Sequence, residues 1–562
     1  MKNIFKIFIF VGAVFLVTNC TENFNEINTK PDSFTTEEVS AKYFLTSPQY
    51  RLYAPDRYPY WRAHLIHTDR YAGHFCFGMK SSWWSDELGY SYNSGYTDAA
   101  WDWLANYIGG LDNFMRLTEP GGEFENQYMY AIGQIMRGLY FQMFTDVFGM
   151  IPYTEATNPD ITLPKFDDQQ TIYQGLIAEL DQAMATIGDA ARTGVNVDDV
   201  ADNDLYCNGD LQLWKKLANT LKLRIALRAH GAPGADFASA AITSALNAPL
   251  LETPDDNILM EKDNIISQWS SACYGDIWHN FPVGGTWTVG KTLVDVLRNN
   301  NDPRLPVYVQ PAKGGTVILE KPEGTEADNH DKRVAFIENV LTEAGVEYSK
   351  NDLGDGDVEI TMPENVYYVG QPTRVNAKIK PYIADAFFSI PAAEITESKN
   401  AGPILEELVM SSAEAYFLRA EAVVRGLGSG DANSLYQEGI RQAMKLWRIS
   451  DGDIETYISS EPMAQLSGTQ EEQIEKIATQ RWIAAYTDGF EAWAIVRDMG
   501  YPTELAQGVS DPDIYGLGDI NGKYPQRLRY GNSARNTNTS NYNTAISQQG
   551  PDTQETKLWW AR

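Results

Sequence analysis

The chain has 562 residues and a formal net charge of −30, with 75 acidic against 45 basic residues. Such an excess of negative charge makes nucleic acid and anionic lipid headgroups poor electrostatic partners. Only four cysteines are present, which excludes a disulfide-rich scaffold and leaves at most one disulfide among Cys76, Cys207 and Cys273 once Cys20 is set aside. Because 43% of the residues are hydrophobic, the chain can bury a large apolar core instead.

Residues 1–19 have the layout of a secretory signal peptide. Lys2 and Lys6 precede an apolar run over 7–17, which is too short to span a bilayer as a retained helix, and Cys20 follows closely. The thiol of a cysteine in this position can be acylated in bacteria, and several acyl chains anchor a protein stably. We therefore predict cleavage before Cys20 and lipidation of Cys20, with Asn19 as a departure from the usual small residue. An ordinary signal with a chance cysteine is the alternative.

A polar tether over 20–40 precedes a folded body that we predict to be a single domain over 41–562. Apolar residues recur every three or four positions in several segments, which predicts helices. In the segment 411–447, small residues and tyrosines flank a glycine-rich turn at 426–431, an arrangement typical of a tetratricopeptide helical pair. The predicted helical scaffold covers about 126–148, 168–188, 211–247, 411–447 and 470–498.

Three irregular segments separate the helical ones, at about 71–105, 264–305 and 310–370. The third contains two short β-like runs, 316–319 and 358–362. Long loops carried by a rigid scaffold commonly hold the binding residues. These segments therefore predict a loop-rich ligand face.

No catalytic or metal-binding motif is present, so we predict no catalytic residues, no metal and no cofactor. H-E-x-x-H and G-x-S-x-G are absent, and the six histidines lack acidic partners at ligand spacing. Residues 285–292 match G-x-x-x-x-G-K-[ST], but the sequence before them is polar and aromatic, and we interpret the match as chance. The acidic run 351–359 lacks the ligand spacing of an EF-hand, which favours a solvated turn over a structural calcium site.

Aromatic clusters in the first two irregular segments indicate ligand binding more directly. A flat ring offers an apolar surface to the C–H face of a sugar, while Asp and Asn side chains can bond its hydroxyl groups. Core packing beneath a long loop is the alternative explanation for such rings. The predicted ligand-binding residues are Trp83, Trp84, Tyr90, Tyr92, Trp278, Trp287, Asp276 and Asn280.

Several blocks of sequence, in order from Cys20 to the C-terminus, carry a resemblance to a known family. Examples are the helix end that continues into Asp146-Val-Phe-Gly-Met-Ile-Pro-Tyr, the helix Trp214-Lys-Lys-Leu-Ala-Asn-Thr-Leu-Lys-Leu-Arg, the block Gln480-Arg-Trp-Ile-Ala-Ala-Tyr and the closing Leu558-Trp-Trp. Together they resemble the SusD/RagB family of outer-membrane nutrient-binding lipoproteins. Val496-Arg497 departs from the family, because many relatives have two basic residues there.

The resemblance implies a mainly all-α, SusD-like fold with four tetratricopeptide-like helical pairs, long irregular loops and a few short strands. It also implies that Trp214, Trp482 and Trp493 are core residues. The family further implies a lipid-anchored position on the outer membrane facing the cell exterior, and a SusC-like TonB-dependent transporter that the protein covers as a lid. An oligosaccharide is the implied ligand.

We therefore expect a non-enzymatic receptor that captures an oligosaccharide and delivers it to the transporter. Two alternatives stay open at this point. The same lid architecture could bind peptides for uptake, because an aromatic loop face suits both ligands. The chain could instead be an exported glycan-degrading enzyme, which turnover of a polysaccharide would reveal.

Overall fold

The structure is a computed structural model that describes residues 39–78, 88, 90–262, 271–280, 287–397 and 404–561. The predicted signal peptide, Cys20 and most of the tether lie outside these residues. Among the described residues, none of the helices combines the length and apolar character needed to cross a membrane.

Helices dominate the described part of the chain, as predicted. The longer ones are α1 (Thr46–Tyr53), α2 (Arg57–Ala63), α3 (Ser94–Thr118), α4 (Gln127–Phe148), α5 (Gln169–Ile187), α6 (Leu211–Ala229), α7 (Phe237–Leu246), α8 (Tyr274–Asn280), α9 (Lys291–Asn299), α10 (His330–Glu343), α11 (Ser412–Val424), α12 (Ala432–Leu446), α13 (Asp451–Ser460), α14 (Gln470–Ala484), α15 (Gly489–Met499) and α16 (Thr539–Gln549). Shorter helices lie at Asp69–Tyr71, Leu305–Tyr308, Ala393–Thr396, Thr503–Ala506 and Asn532–Thr537, and a π-helix covers His64–Thr68.

The strands are short and form small antiparallel sheets. They are β1 (Phe75–Phe77), β2 (Ile258–Met260), β3 (Trp287–Val289), β4 (Gly315–Leu319), β5 (Ser349–Gly354), β6 (Asp357–Met362) and β7 (Glu407–Met410). Strand β1 pairs with β3, β2 pairs with β7, and the third sheet has the order β4-β6-β5. Strands β4 and β6 fall on the two predicted β-like runs.

Side-chain caps fix where the predicted helices begin. The carboxylates of Asp168 and Asp210 accept hydrogen bonds from backbone amides in the first turns of α5 and α6. Thr469 and Glu472 form a capping box at the start of α14, in which each side chain bonds the backbone of the other residue. Because the first amides of a helix have no partner inside it, these contacts satisfy donors that would otherwise be unpaired.

Four helical pairs can be followed in the described chain: α4/α5, α6/α7, α11/α12 and α14/α15. The largest buried apolar cluster includes residues of all four pairs, and Trp214, Trp482 and Trp493 are fully buried in it, as expected. A second cluster lies between the β4-β6-β5 sheet and α10, and a third lies around α11, α12 and α13.

A buried network of charges joins one helix or more from each pair. Arg228 on α6 bonds Asp146 on α4 at 2.6 Å and Glu491 on α15 at 2.5 Å. Arg481 on α14 bonds Glu421 on α11 at 2.8 Å. All five side chains are at most 5% exposed. Removing one partner from a buried ion pair is costly, so the network stabilises the packing of the four pairs against one another.

All three segments predicted as irregular are more regular than expected. Helix α3 begins at Ser94, inside the segment predicted as irregular over 71–105, because Trp101, Leu104 and Leu111 are buried along one face of it. The segment 264–305 holds helices α8 and α9 and strand β3. Between 310 and 370 the structure has helix α10 and the exposed strand β5 as well as the two expected strands. The three segments therefore contribute to the scaffold.

Candidate functional site

Among the described residues, helix α2 supplies the most exposed aromatic side chain near the predicted ligand face. The carboxylate of Asp56 caps this helix by accepting a hydrogen bond from the Arg57 amide at 2.6 Å. Tyr60 and Trp61 are buried in the core, whereas Tyr58 is 51% exposed. The buried rings hold the helix in place, and Tyr58 is thereby presented to solvent.

Arg62, one turn after Tyr58, lies among rings from two helices. Its guanidinium carbon is 5.4 Å from the Tyr58 ring centroid, 5.3 Å from that of Trp61 and 5.7 Å from that of Tyr96 in the first turn of α3. A cation this close to a ring face is attracted by its quadrupole. We call Tyr58, Arg62 and Tyr96, together with Trp278 of α8, the aromatic face.

An ion pair attaches α8 to α2. The Nε and Nη2 atoms of Arg57 donate to the two carboxylate oxygens of Asp276, at 2.5 and 3.0 Å. Asp276 is fully buried, and the hydrogen bond to it raises the pKa of Arg57. Asp276 was predicted to bond a ligand, but both of its oxygens already bind Arg57. The structure thus corrects that prediction: Asp276 positions the helix that carries Trp278.

The two predicted tryptophans at this end of the site differ in exposure. Trp278 is half-buried at the edge of the main core, and its ring meets that of Trp287 edge to face at 6.4 Å. Trp287 lies in β3 and is 1% exposed, with Phe75 and Tyr274 against it. Trp287 offers no ring face to solvent in this structure. Its predicted role, direct stacking on a ligand, is therefore revised: Trp287 supports the ring of Trp278.

Tyr90 and Tyr92 both pack against arginines. Tyr90 is 2% exposed, its hydroxyl donates to the Arg70 carbonyl at 3.0 Å, and the Arg374 guanidinium lies 4.3 Å from its ring centroid. Its burial likewise revises the prediction of direct ligand contact. Tyr92 is half-buried, with the Arg529 guanidinium 3.8 Å from its ring centroid.

The remaining predicted ligand residues are not placed. Trp83 and Trp84 lie outside the described residues, and so does the side chain of Asn280. Their predicted role in binding stays a prediction. Two residues of the aromatic face lie near these segments in the chain, because Trp278 comes shortly before 281–286 and Tyr96 comes shortly after 79–87.

The described parts of the two weak motifs do not form a recognisable site, and residues 285–286 of the first lie outside the described residues. Lys291 of the G-x-x-x-x-G-K-[ST] match bonds Asp295 at 2.6 Å and Glu343 at 3.1 Å, so carboxylates surround its ammonium group. Strand β3 does precede it, contrary to the sequence interpretation, but it is only three residues long. The acidic run 351–359 forms the β5–β6 hairpin, and no group of three or more potential metal ligands was found within the described ranges.

None of the three cysteines described is in a disulfide, and all are buried. Burial raises the pKa values of the Cys207 and Cys273 thiols. A raised pKa keeps a thiol protonated and unreactive. These residues therefore contribute to packing, and the question of a disulfide that the sequence left open is answered.

Comparison with known proteins decides the family. The SusD-like family model, described as starch-binding and associating with the outer membrane, matches residues 33–340 and 363–531. These ranges make up most of the chain. The chain belongs to the SusD-like family. Members of this family are nutrient-binding proteins associated with the outer membrane, which confirms the resemblance seen in the sequence.

Solved structures show that the SusD-like fold extends over nearly the whole chain. A chitin-binding protein superposes with a TM-score of 0.70 at 24% identity, covering 93% of this chain and 100% of its own. A SusD-like protein from Bacteroides thetaiotaomicron superposes with a TM-score of 0.68 at 23% identity, covering 93% of this chain and 98% of its own. A Bacteroidetes AC2a SusD-like protein superposes with a TM-score of 0.71 at 22% identity, covering 93% of this chain and 100% of its own. No curated protein sequence matches the chain significantly.

Sequence reasoning missed two members of the aromatic face in this SusD-like protein. Tyr58 and Arg62 belong to the run Arg57-Tyr-Pro-Tyr-Trp-Arg62, which is as aromatic as the segments that were selected. The run lies before the first segment predicted as irregular, so it is not part of the predicted ligand face. Its density of Tyr, Trp and Arg, the residue types enriched at binding hot spots, was the available signal.

Proposed function

We propose that this SusD-like protein is a cell-surface receptor that binds an oligosaccharide and delivers it to a SusC-like TonB-dependent transporter. The observation that carries the proposal is the aromatic face. The ring centroids of Tyr58 and Tyr96 lie 5.4 and 5.7 Å from the Arg62 guanidinium carbon, and the bidentate Arg57–Asp276 pair attaches α8, which carries Trp278, to α2. Rings on such a rigid base suit the C–H faces of sugars.

The aromatic face gives the first prediction. Tyr58→Ala and Trp278→Ala should each weaken oligosaccharide binding by about 1–2 kcal/mol, because aromatic contacts dominate such interfaces. Affinity electrophoresis of the mature protein through a panel of polysaccharides would identify the ligand, and calorimetry would give the affinities. Tyr43, which is 50% exposed and outside the aromatic face, provides the matched control Tyr43→Ala.

Equal binding by Tyr58→Ala, Trp278→Ala and Tyr43→Ala would contradict the placement of the site. Binding of a protein digest but of no glycan would favour the peptide alternative. Turnover of a polysaccharide by the purified protein, abolished by one carboxylate substitution, would establish an enzyme and contradict the proposed receptor.

The transporter partnership and the anchor need tests of their own. We expect the lipidated protein to co-purify from outer membranes with a TonB-dependent transporter. Cys20→Ser should release the protein from the membrane, because the acyl chains that Cys20 would carry are its proposed attachment. Protease accessibility on intact cells would test the proposed outward orientation.

A further inference from the structure

A cavity separate from the aromatic face lies beside the β2–β7 sheet. Its volume is about 260 Å³. Leu259 and Leu408, which are register partners across the two strands, form one wall. Leu446 and Trp447 at the end of α12 and Tyr486 between α14 and α15 complete an apolar floor.

Carboxylates outnumber cations around this apolar floor. Among its described lining residues the cavity has three carboxylates, Glu394, Glu397 and Glu406, and one cation, Arg448, which pairs with Glu394. Neither Glu397 nor Glu406 has an ion pair or a side-chain hydrogen bond within the described part of the chain. Partial burial, and then the nearby charge of Glu261, raises the pKa of Glu406. A ligand cation beside Glu406 would offset both the cost of burying its carboxylate and the repulsion from Glu261.

The backbone of the cavity wall is strained at two positions. Thr487 has φ of 76° and Arg448 has φ of 57°, in the left-handed region that glycine favours. For the β-branched Thr487 this conformation is unusual. The Thr487 carbonyl accepts a hydrogen bond from the Tyr274 hydroxyl at 3.2 Å, which helps to hold the strained turn. This part of the cavity wall is therefore held in place by a contact from α8.

We propose that this cavity binds an organic cation, an ammonium or guanidinium group carried on an apolar stem. The stem would lie on the wall of Leu259, Leu408 and Trp447, and the charge would lie between Glu397 and Glu406. The volume is below the roughly 300–1,000 Å³ of pockets that enclose a whole drug-sized ligand, so it suits one group of side-chain size. The proposal does not rest on oligosaccharide binding, because the cavity and the aromatic face share no residue.

Butylguanidinium and its neutral counterpart butylurea form a matched pair of probes. Calorimetry on the mature protein should detect butylguanidinium, with binding that weakens as salt is added, and butylurea should bind at least about tenfold more weakly. Glu406→Gln and Glu397→Gln should each lower the affinity for butylguanidinium about tenfold. Glu123→Gln, at an exposed residue on the α3–α4 connection, is the control and should leave that affinity unchanged.

Equal affinity for the charged and neutral probes would overturn the proposal, and so would Glu406→Gln and Glu397→Gln variants that bind like Glu123→Gln. Thermal unfolding of each variant shows that it is folded before binding is compared. Displacement of the probe by Nα-acetyl-lysine amide or by glucosamine supports the proposal in either case. The former points to a basic side chain of a polypeptide as the natural source of the cation, and the latter points to an amino sugar.

Discussion

Glu491 is a buried carboxylate in the network that joins the four helical pairs. Burial opposes its ionisation, but Arg224, Arg228 and Arg481 surround it and lower its pKa to about 2. Its Oε1 atom accepts from Arg228 and, at 3.3 Å, from Arg481. Glu491 is therefore charged at neutral pH and partly compensates three guanidinium groups that are themselves buried.

Replacing that carboxylate gives the second prediction. Glu491→Gln should lower the free energy of unfolding by about 3–5 kcal/mol, because buried guanidinium groups lose a counter-charge. The loss should shrink in acid. The folded-state pKa lies below the unfolded value, so the stabilising effect of Glu491 is complete above about pH 4.5 and disappears as the pH falls through about 2.

Chemical denaturation of the native protein and of Glu491→Gln at pH 7 measures this change in unfolding free energy. The exposed pair of Arg441 and Glu455 supplies a control, since Glu455 is 59% exposed. Glu455→Gln should cost only about 0–1 kcal/mol, as surface ion pairs usually do. A Glu491→Gln protein as stable as Glu455→Gln would show that the network does not hold the pairs together.

At the scale of elements, α8 depends on its attachment to α2. Arg57→Gln removes the guanidinium that binds both oxygens of the buried Asp276, and the third prediction is a loss of about 1–3 kcal/mol in the free energy of unfolding. The Arg57 side chain is 30% exposed, so this loss is smaller than for a fully buried pair. Oligosaccharide affinity should fall as well, because Trp278 is carried by α8.

Arg116 offers a matched control for this variant. It forms an ion pair with Asp112 one turn earlier on α3, and its side chain is 47% exposed. Arg116→Gln should change stability by less than about 0.5 kcal/mol and leave ligand affinity unaltered. If Arg57→Gln kept full ligand affinity while losing stability, α8 would not contribute to the binding site.

The helices of the four pairs could be predicted from the sequence, because their apolar residues recur with the helical period and their caps are local. The segments 126–148 and 168–188 agree with α4 and α5 to within one residue. Helix α3 was not predicted, because glycine, serine and tyrosine dominate 90–96 and its packing against α2 and α4 decides the conformation. Strand β5 was not predicted because all of its residues are exposed and most are polar, so no alternation marks it.

The candidate site was harder to predict, because its geometry depends on contacts between distant segments. Asp276 was identified as a functional residue, but its partner Arg57 lies 219 positions away. Burial separates Trp287 from Trp278, although both were selected for the same aromatic composition. Composition indicates which segments bind, whereas tertiary packing decides which rings remain exposed.

At the scale of the whole molecule, buried histidines and buried carboxylates have opposite effects on how the free energy of unfolding depends on pH. Burial lowers the pKa values of His64, His67 and His74 to about 3, 4 and 3. Burial raises the pKa of Asp488 to about 7. Between about pH 4 and 6.5 the unfolded chain therefore binds more protons at the histidines, and the folded protein binds more at Asp488. Burial also raises the pKa values of Asp69 and Glu407, which act in the same direction as Asp488. The histidines by themselves therefore make stability fall as the pH drops through this window, and the buried carboxylates oppose that fall.

His64 allows this balance to be tested at one position. Its ring stacks on Tyr60 at 4.4 Å and meets Phe490 edge to face at 4.8 Å, and neither ring nitrogen has a hydrogen-bond partner among the described residues. Lys262 is the charged group that acts on it, and it further lowers the pKa of His64. A phenyl ring can keep the stacking and cannot take up a proton. The fourth prediction is that His64→Phe is stabilised relative to the native protein, and more so in acid.

The expected size of the effect follows from the pKa of His64. One pKa unit corresponds to about 1.4 kcal/mol, so the difference in unfolding free energy between His64→Phe and the native protein should be about 2 kcal/mol larger at pH 5 than at pH 8. Chemical denaturation at the two pH values measures it. His279→Gln is the control, because His279 is exposed and meets similar solvent in both states. A His64→Phe protein with the pH dependence of the native one would mean that His64 is not kept neutral by burial, and acid sensitivity would then have to arise from the carboxylate network instead.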